Sequence, residues 1–260
     1  MKCDLCPRKC LVDRKKGEKG ICGQTENLKV ARAALHFWEE PCISGDAGSG
    51  AVFFSGCPLH CVFCQNENIA NGTVGKEISL ERLVDIFLEL QEKRANNINL
   101  VTPGHFVPQI VKALDQARKE GLTLPVVYNT SSYETVDTIK MLEGYVDIYL
   151  PDFKYMSPVL SKKYSHAPDY AEVAKAAIAE MVRQTGKAVF ANGEEDNLIL
   201  SGTIVRHLTL PGCMADSMQI LKYLHETYGD MIYISIMNQF TPLSNLEKYP
   251  ELNRRITDVE

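Results

Sequence analysis

Three cysteines, Cys57, Cys61 and Cys64, stand in C-x3-C-x2-C spacing directly after the β-branched and aromatic run Ala51-Val52-Phe53-Phe54-Ser55-Gly56. Thiolates are the usual ligands of iron–sulfur clusters, and gaps this short let one loop wrap three of them around a single cubane. A closed cluster asks for a fourth cysteine, and the next one along the chain, Cys213, is remote. One iron is then left open to something other than the protein. The alternative is a structural zinc loop lacking one ligand, which the closed four-fold coordination of such sites disfavours.

Nine cysteines in a chain with no apolar leader after Met1-Lys2-Cys3-Asp4 point to metal or redox chemistry in the cytoplasm rather than to disulfides. An odd count also argues against a fully paired framework. With 260 residues the chain has room for one large α/β domain and a small appendage. A net charge of −5, without a Lys/Arg face, gives no reason to expect nucleic acid, and no apolar run approaches the length of a membrane span.

Residues 1–48 read as a separate segment. Cys3, Cys6, Cys10 and Cys22 fall within twenty residues, too few for a core of their own, so a metal-held knuckle is expected. Zinc and a second iron–sulfur cluster both fit the spacing. Arg14 to Gly20 reads as a solvated turn, Leu28 to Arg32 as a short strand, Trp38 as a packing anchor and Cys42 as a small buried hydrophobe. Gly45 to Gly50 reads as the linker into a main domain over 49–260.

From Ala51 onward strands and helices alternate. Short apolar or β-branched runs at 51–55, 98–101, 125–129, 146–150, 204–209 and 232–237 predict strands. Helical spacing joins Leu80, Leu83, Val84 and Phe87 after a Ser79 cap, then Val107, Ile110, Val111 and Leu114. It also joins Ala174, Ala177, Ile178 and Met181, and Ile220, Leu221 and Leu224 after an Asp216 cap. Turn signals at Asn192-Gly193 and Asp196-Asn197 suggest a hairpin within 187–201. Such alternation means parallel strands with helices outside them, in either an open doubly wound sheet or a barrel. The last residues, with Thr257 as a cap, look like the start of a helix that a longer chain would continue.

The cysteine spacing, with Phe63 just before the third thiol, resembles the radical S-adenosylmethionine (SAM) superfamily. The wider run Phe53-Phe54-Ser55-Gly56-Cys57 through Cys64-Gln65-Asn66 resembles the pyruvate formate-lyase activating enzymes within it. The resemblance implies an α/β fold, a partial (β/α)6 TIM-like barrel with a small N-terminal cysteine-rich metal-binding segment. It also implies a 4Fe–4S cluster and SAM as cofactors, and the cluster loop after the first strand. The chemistry implied is reductive cleavage of SAM to a 5′-deoxyadenosyl radical for hydrogen-atom abstraction. The implied partners are a reductant protein such as flavodoxin or ferredoxin and a glycyl-radical enzyme that receives the radical. Radical modification of a small molecule or peptide, and a non-catalytic iron–sulfur or zinc protein, are the alternatives.

The resemblance also assigns residues. Asp152-Phe153-Lys154 matches the Asp-Leu-Lys of the activating enzymes, and Arg206, before Pro211-Gly212, matches their Arg-x4-Pro-Gly. Lys154 and Arg206 would neutralise the methionyl carboxylate, and Asp152 would accept from a ribose hydroxyl or help hold a cation. Asn129-Thr130 stands where they carry Asp-Thr, and Phe63 would sit against the adenine. Their Gly-Gly-Glu-Pro is replaced by Thr102-Pro103-Gly104-His105, where Gly104 would still permit close backbone approach. Cys213 and His105 lie at strand ends. The thiol is a candidate hydrogen-atom donor or an inert buried cysteine, and no catalytic role is assigned to either.

Overall fold

The computed structural model describes residues 2–193, 197–243 and 246–260. The first strand, β1 (Lys29–His36), runs past the short strand expected there. It is followed by α1 (Pro41–Ser44), β2 (Ser49–Phe54), α2 (Glu67–Ala70), β3 (Lys76–Glu77) and α3 (Leu80–Glu92). Then come β4 (Ile98–Val101), α4 (Val107–Lys119), β5 (Val126–Thr130), α5 (Val136–Lys140), β6 (Ile148–Pro151), α6 (Pro158–Ser165) and α7 (Tyr170–Thr185). The chain continues through β7 (Val189–Phe190), β8 (Ile199–Leu208), α8 (Met214–Tyr228) and β9 (Tyr233–Met237).

Strands β2, β4, β5, β6, β8 and β9 lie side by side in that order, every pair parallel. They coincide with the six runs expected from the sequence. Among the described residues β9 pairs only with β8, so the barrel is unclosed. On the other flank β1 pairs antiparallel with β2, from Val30 opposite Phe54 to His36 opposite Ser49. The sheet therefore begins twenty residues ahead of the boundary drawn at 48–49, and residues 29–36 share the core of the main domain. The hairpin expected over 187–201 is formed by β7 against the start of β8; its Asp196 lies outside the described residues.

Period-two alternation sorts the strands into two faces. Val52, Phe54, Ile98, Leu100, Val126, Tyr128 and Tyr149 face outward and bury Leu83, Phe87 and Leu90 of α3 and Ile110 and Leu114 of α4. Ser79 caps α3 as expected, its hydroxyl accepting from the Arg82 N–H at 3.1 Å. The opposite face of β5, β6 and β8 carries Val127, Ile148, Leu150 and Ile204, which enclose Ile43 of α1. Burying this one isoleucine completely contributes about 1.5–3 kcal/mol. Residues 39–44, just ahead of the stretch read as a linker, thus supply the barrel floor.

Two side chains do not take the places expected of them. Trp38 is 90% exposed rather than an anchor, because Glu39 turns into the barrel in its place. Asp216 does not cap α8, which already starts at Met214. Its carboxylate instead accepts the N–H groups of Met156 and Ser157 at 3.0 and 2.7 Å. Residues 258–259 form a turn in which the Thr257 N–H donates to the Glu260 carboxylate at 2.9 Å. Among the described residues no helix is long and apolar enough to cross a membrane.

Candidate active site

The cysteine loop leaves the buried end of β2 through Gly56, at φ +89°, where a Cβ would stand 2.4 Å from the Cys22 carbonyl oxygen. Only glycine fits that backbone and that approach. His60 also sits at positive φ, and its ring bridges the Ile21 carbonyl at 2.8 Å and the Asn71 side-chain oxygen at 3.1 Å. Cys57, Cys61 and Cys64 lie close enough for each charge to act on the others. Burial, then the neighbouring Cys61, pushes the Cys57 thiol up to about 12. Soft sulfur donors that need a cationic centre to drive off their protons fit iron. Two clefts of about 450 and 240 Å³ flank the loop. Cys64, Glu67 and Leu243 line the first; His60, Cys61 and Tyr249 line the second.

Beneath the loop, side chains from four strands and the floor segment form one ionic layer. Asp152 accepts from Lys154 Nζ at 2.6 Å and from Arg206 Nε at 3.0 Å. Arg206 Nη1 donates to Glu39 at 2.6 Å and Nη2 to the Asn129 oxygen at 2.8 Å. The amides of Asn99 and Asn129 donate to the other Glu39 oxygen at 3.1 and 3.0 Å. Burial pushes Asp152 up, but the charges of Arg206 and Lys154 outweigh it and hold the carboxyl below its usual range. Lys154 is held above its usual range against burial, by Asp152 and then Cys61. Two carboxylates and two cations balance.

The layer joins Asn129, Asp152, Lys154 and Arg206, four of the expected cofactor residues, and adds Glu39, which was not among them. Each of the three guanidinium nitrogens of Arg206 donates to a protein acceptor. Lys154 has one partner among the described residues, leaving two N–H donors for an incoming anion. Phe63 is buried, its ring 6.4 Å from that of Tyr155 and 6.1 Å from that of Phe240.

Gly104 and Thr130 stand elsewhere. Thr130 follows Asn129 and so points to the opposite face, giving its hydroxyl to Glu134 at 2.7 Å, while Tyr128 donates to the same oxygen at 3.1 Å. A Cβ at Gly104 would meet the other Glu134 oxygen at 2.3 Å, so this glycine makes room for a buried carboxyl. Burial raises Glu134 to about 7, the bonds from Thr130 and Tyr128 offsetting part of the shift. His105 is buried against the Ser55 carbonyl at 2.7 Å, and burial lowers it to about 3. His207 spends both ring nitrogens on Phe153 and Ser217. Burial raises the partly buried Cys213 thiol to about 11.

In the N-terminal segment, turns closed by Lys9 N–H to Cys6, Leu11 N–H to Cys3 and Gly23 N–H to Gly20 bring Cys3, Cys6, Cys10 and Cys22 into one electrostatic neighbourhood. Arg14, expected in a solvated turn, is buried and donates to the Thr25 and His105 carbonyls. Among the described residues no three such ligands already stand in a closed metal-coordinating arrangement.

The family profile described as the Radical SAM superfamily matches residues 51–193, more than half of the chain. An uncharacterized protein of Methanocaldococcus jannaschii is 27% identical over 99% of this chain and 71% of its own length. The FeFe-hydrogenase maturase HydG shares the fold with a TM-score of 0.51 at 14% identity, over 78% of this chain and 45% of the other. Methylornithine synthase (PylB) does so with a TM-score of 0.52 at 14% identity, over 78% and 56%. The chain spans about half the length of those two solved structures.

Proposed function

The chain belongs to the radical SAM superfamily and is an enzyme of it, and on that premise we propose that Cys57, Cys61 and Cys64 hold the 4Fe–4S cluster. The reaction we infer is hydrogen-atom abstraction from a glycine backbone of a partner protein. When bound, the reduced cluster and SAM supply the 5′-deoxyadenosyl radical for that step. The protein's own part is to bind, orient and exclude water. Lys154 offers its two remaining donors to the methionyl carboxylate, and Arg206, with Glu39 and Asn129, holds Asp152 in place for a ribose hydroxyl. Phe63 supplies an apolar wall for the adenine. The observation that carries this reading is the balanced ionic layer beside Cys61, with one cation still able to donate.

The unclosed barrel supports a peptide substrate, since a loop can enter from the side that eight strands would seal. Reduction falls to a flavodoxin or ferredoxin in the cytoplasm. Cys3, Cys6, Cys10 and Cys22 are proposed to hold a second centre, zinc or iron–sulfur. Its place ahead of the radical motif favours, as a second reading, radical modification of a small molecule or peptide. Reduced enzyme and SAM, incubated with anaerobic host extract, should give a glycyl doublet by EPR. A silent extract with a new deoxyadenosine-linked small product would favour the second reading. Metal analysis of the anaerobic protein against a Cys3→Ser/Cys10→Ser variant tests the second centre, which should be lost while the SAM-cleaving cluster remains.

A further inference from the structure

Helix α6 ends beside the cysteine loop, and its last residue, Ser165, is fully buried. Serines in helices usually return their hydroxyl to a carbonyl one turn back. This one donates instead to Cys61 Sγ at 3.0 Å. The Tyr155 hydroxyl, also fully buried, lies 2.7 Å from the Ser165 oxygen. With the serine proton spent on sulfur, the tyrosine must be the donor, so two hydroxyls point in series at one thiolate ligand. Such chains strengthen each member where water is excluded.

The position of Ser165 is fixed from the N-terminal segment. Arg8 donates through Nη2 to the Ser165 carbonyl at 3.0 Å, through Nη1 to the His166 carbonyl at 2.6 Å and through Nε to the Pro58 carbonyl at 2.9 Å. Its guanidinium also lies 5.1 Å over the Tyr133 ring. Terminal helix carbonyls lack partners within the helix, and here one planar fork satisfies those at the end of α6 while gripping the residue after Cys57.

We propose that Ser165 and Tyr155 tune the reduction potential of the cluster held by the loop, and that Arg8 is the residue positioning them. One-electron reduction makes the cluster more negative, and a hydrogen bond to a ligand sulfur favours that state, so the pair raises the potential. The electron comes from a low-potential reductant. The inference rests on Cys57, Cys61 and Cys64 as cluster ligands. The two readings fail separately: if no cluster assembles in the unaltered protein the ligand assignment is wrong.

The test is an EPR-monitored redox titration with dithionite of the full chain and its variants, with iron content measured alongside. Ser165→Ala should shift the midpoint to more negative values, Ser165→Thr should restore part of it, and Tyr155→Phe should give a smaller shift of the same sign. Arg8→Ala should move it as Ser165→Ala does, although Arg8 touches no sulfur. An unchanged midpoint in Ser165→Ala with full iron overturns the proposal. If that variant loses its cluster, Tyr155→Phe decides, because the ring still fills its site; an unmoved midpoint there overturns the proposal equally.

Discussion

The two faces of β5 carry buried polar clusters that answer the same difficulty in opposite ways. On the inner face each carboxylate meets a cation, Glu39 against Arg206 and Asp152 against Lys154 and Arg206. On the outer face Glu134 has two hydroxyl donors and, among the described residues, no cation in contact, and burial raises its carboxyl toward neutrality. A paired set costs little while complete and much when one member is lost; a lone carboxyl answers to pH instead.

Breaking the ionic layer should have the largest effect. Arg206→Ala leaves Glu39 without a cation and Asp152 with Lys154 alone, and should destabilise the fold by about 3–5 kcal/mol in chemical denaturation. Glu39→Gln, which keeps shape and removes one charge, should cost less. An Arg206→Ala protein of ordinary stability would mean that the layer is not a closed set.

Next comes the outer face. Folded Glu134 keeps its proton to about pH 7, while in the unfolded chain it ionises near 4.5. Between those values the unfolded state has shed the proton and the folded state has not. Stability should therefore fall as pH rises from 4.5 to 7 and level above it, by on the order of 3 kcal/mol over the window. Glu134→Gln should flatten that stretch of the profile. A profile unchanged by the substitution would place the charge elsewhere.

Lys154→Ala sharpens the comparison at the ligand. A charge-assisted hydrogen bond contributes about 1.5–3 kcal/mol, so SAM should bind roughly 10–100-fold more weakly by equilibrium dialysis, with the cluster absorbance kept. Wild-type affinity would remove Lys154 from the carboxylate contact. The smallest effect belongs to Trp38, the neighbour of Glu39 that points to solvent. Trp38→Ser should change stability by no more than about 0.5 kcal/mol.

The six parallel strands were legible because each is a short apolar run and helical patterns separate most of them, and the Ser79 cap announces α3. Asp152, Lys154 and Arg206 were legible through their match to the Asp-Leu-Lys and Arg-x4-Pro-Gly of the activating enzymes. Glu39 was not, because nothing local distinguishes it from Glu40; only the path of the chain into the barrel floor does. Thr130 was misplaced through parity, since one step along β5 exchanges the ionic face for the helix-covered one. Ser165 gave no signal because its partner Cys61 is 104 residues away.

The floor segment has a consequence for biosynthesis. Ile43 packs on Val127, Ile148 and Ile204, and Glu39 pairs with Arg206, so neither has its full set of partners until β8 has left the ribosome. At translation rates of about 5–20 residues per second, residue 204 follows residue 43 by roughly 8 to 30 s. During that interval the β1–β2 hairpin can zip locally, yet the chain between its strands must wait with an isoleucine and a carboxylate uncovered. The floor of the barrel is synthesised ahead of the strands it joins and laid after them.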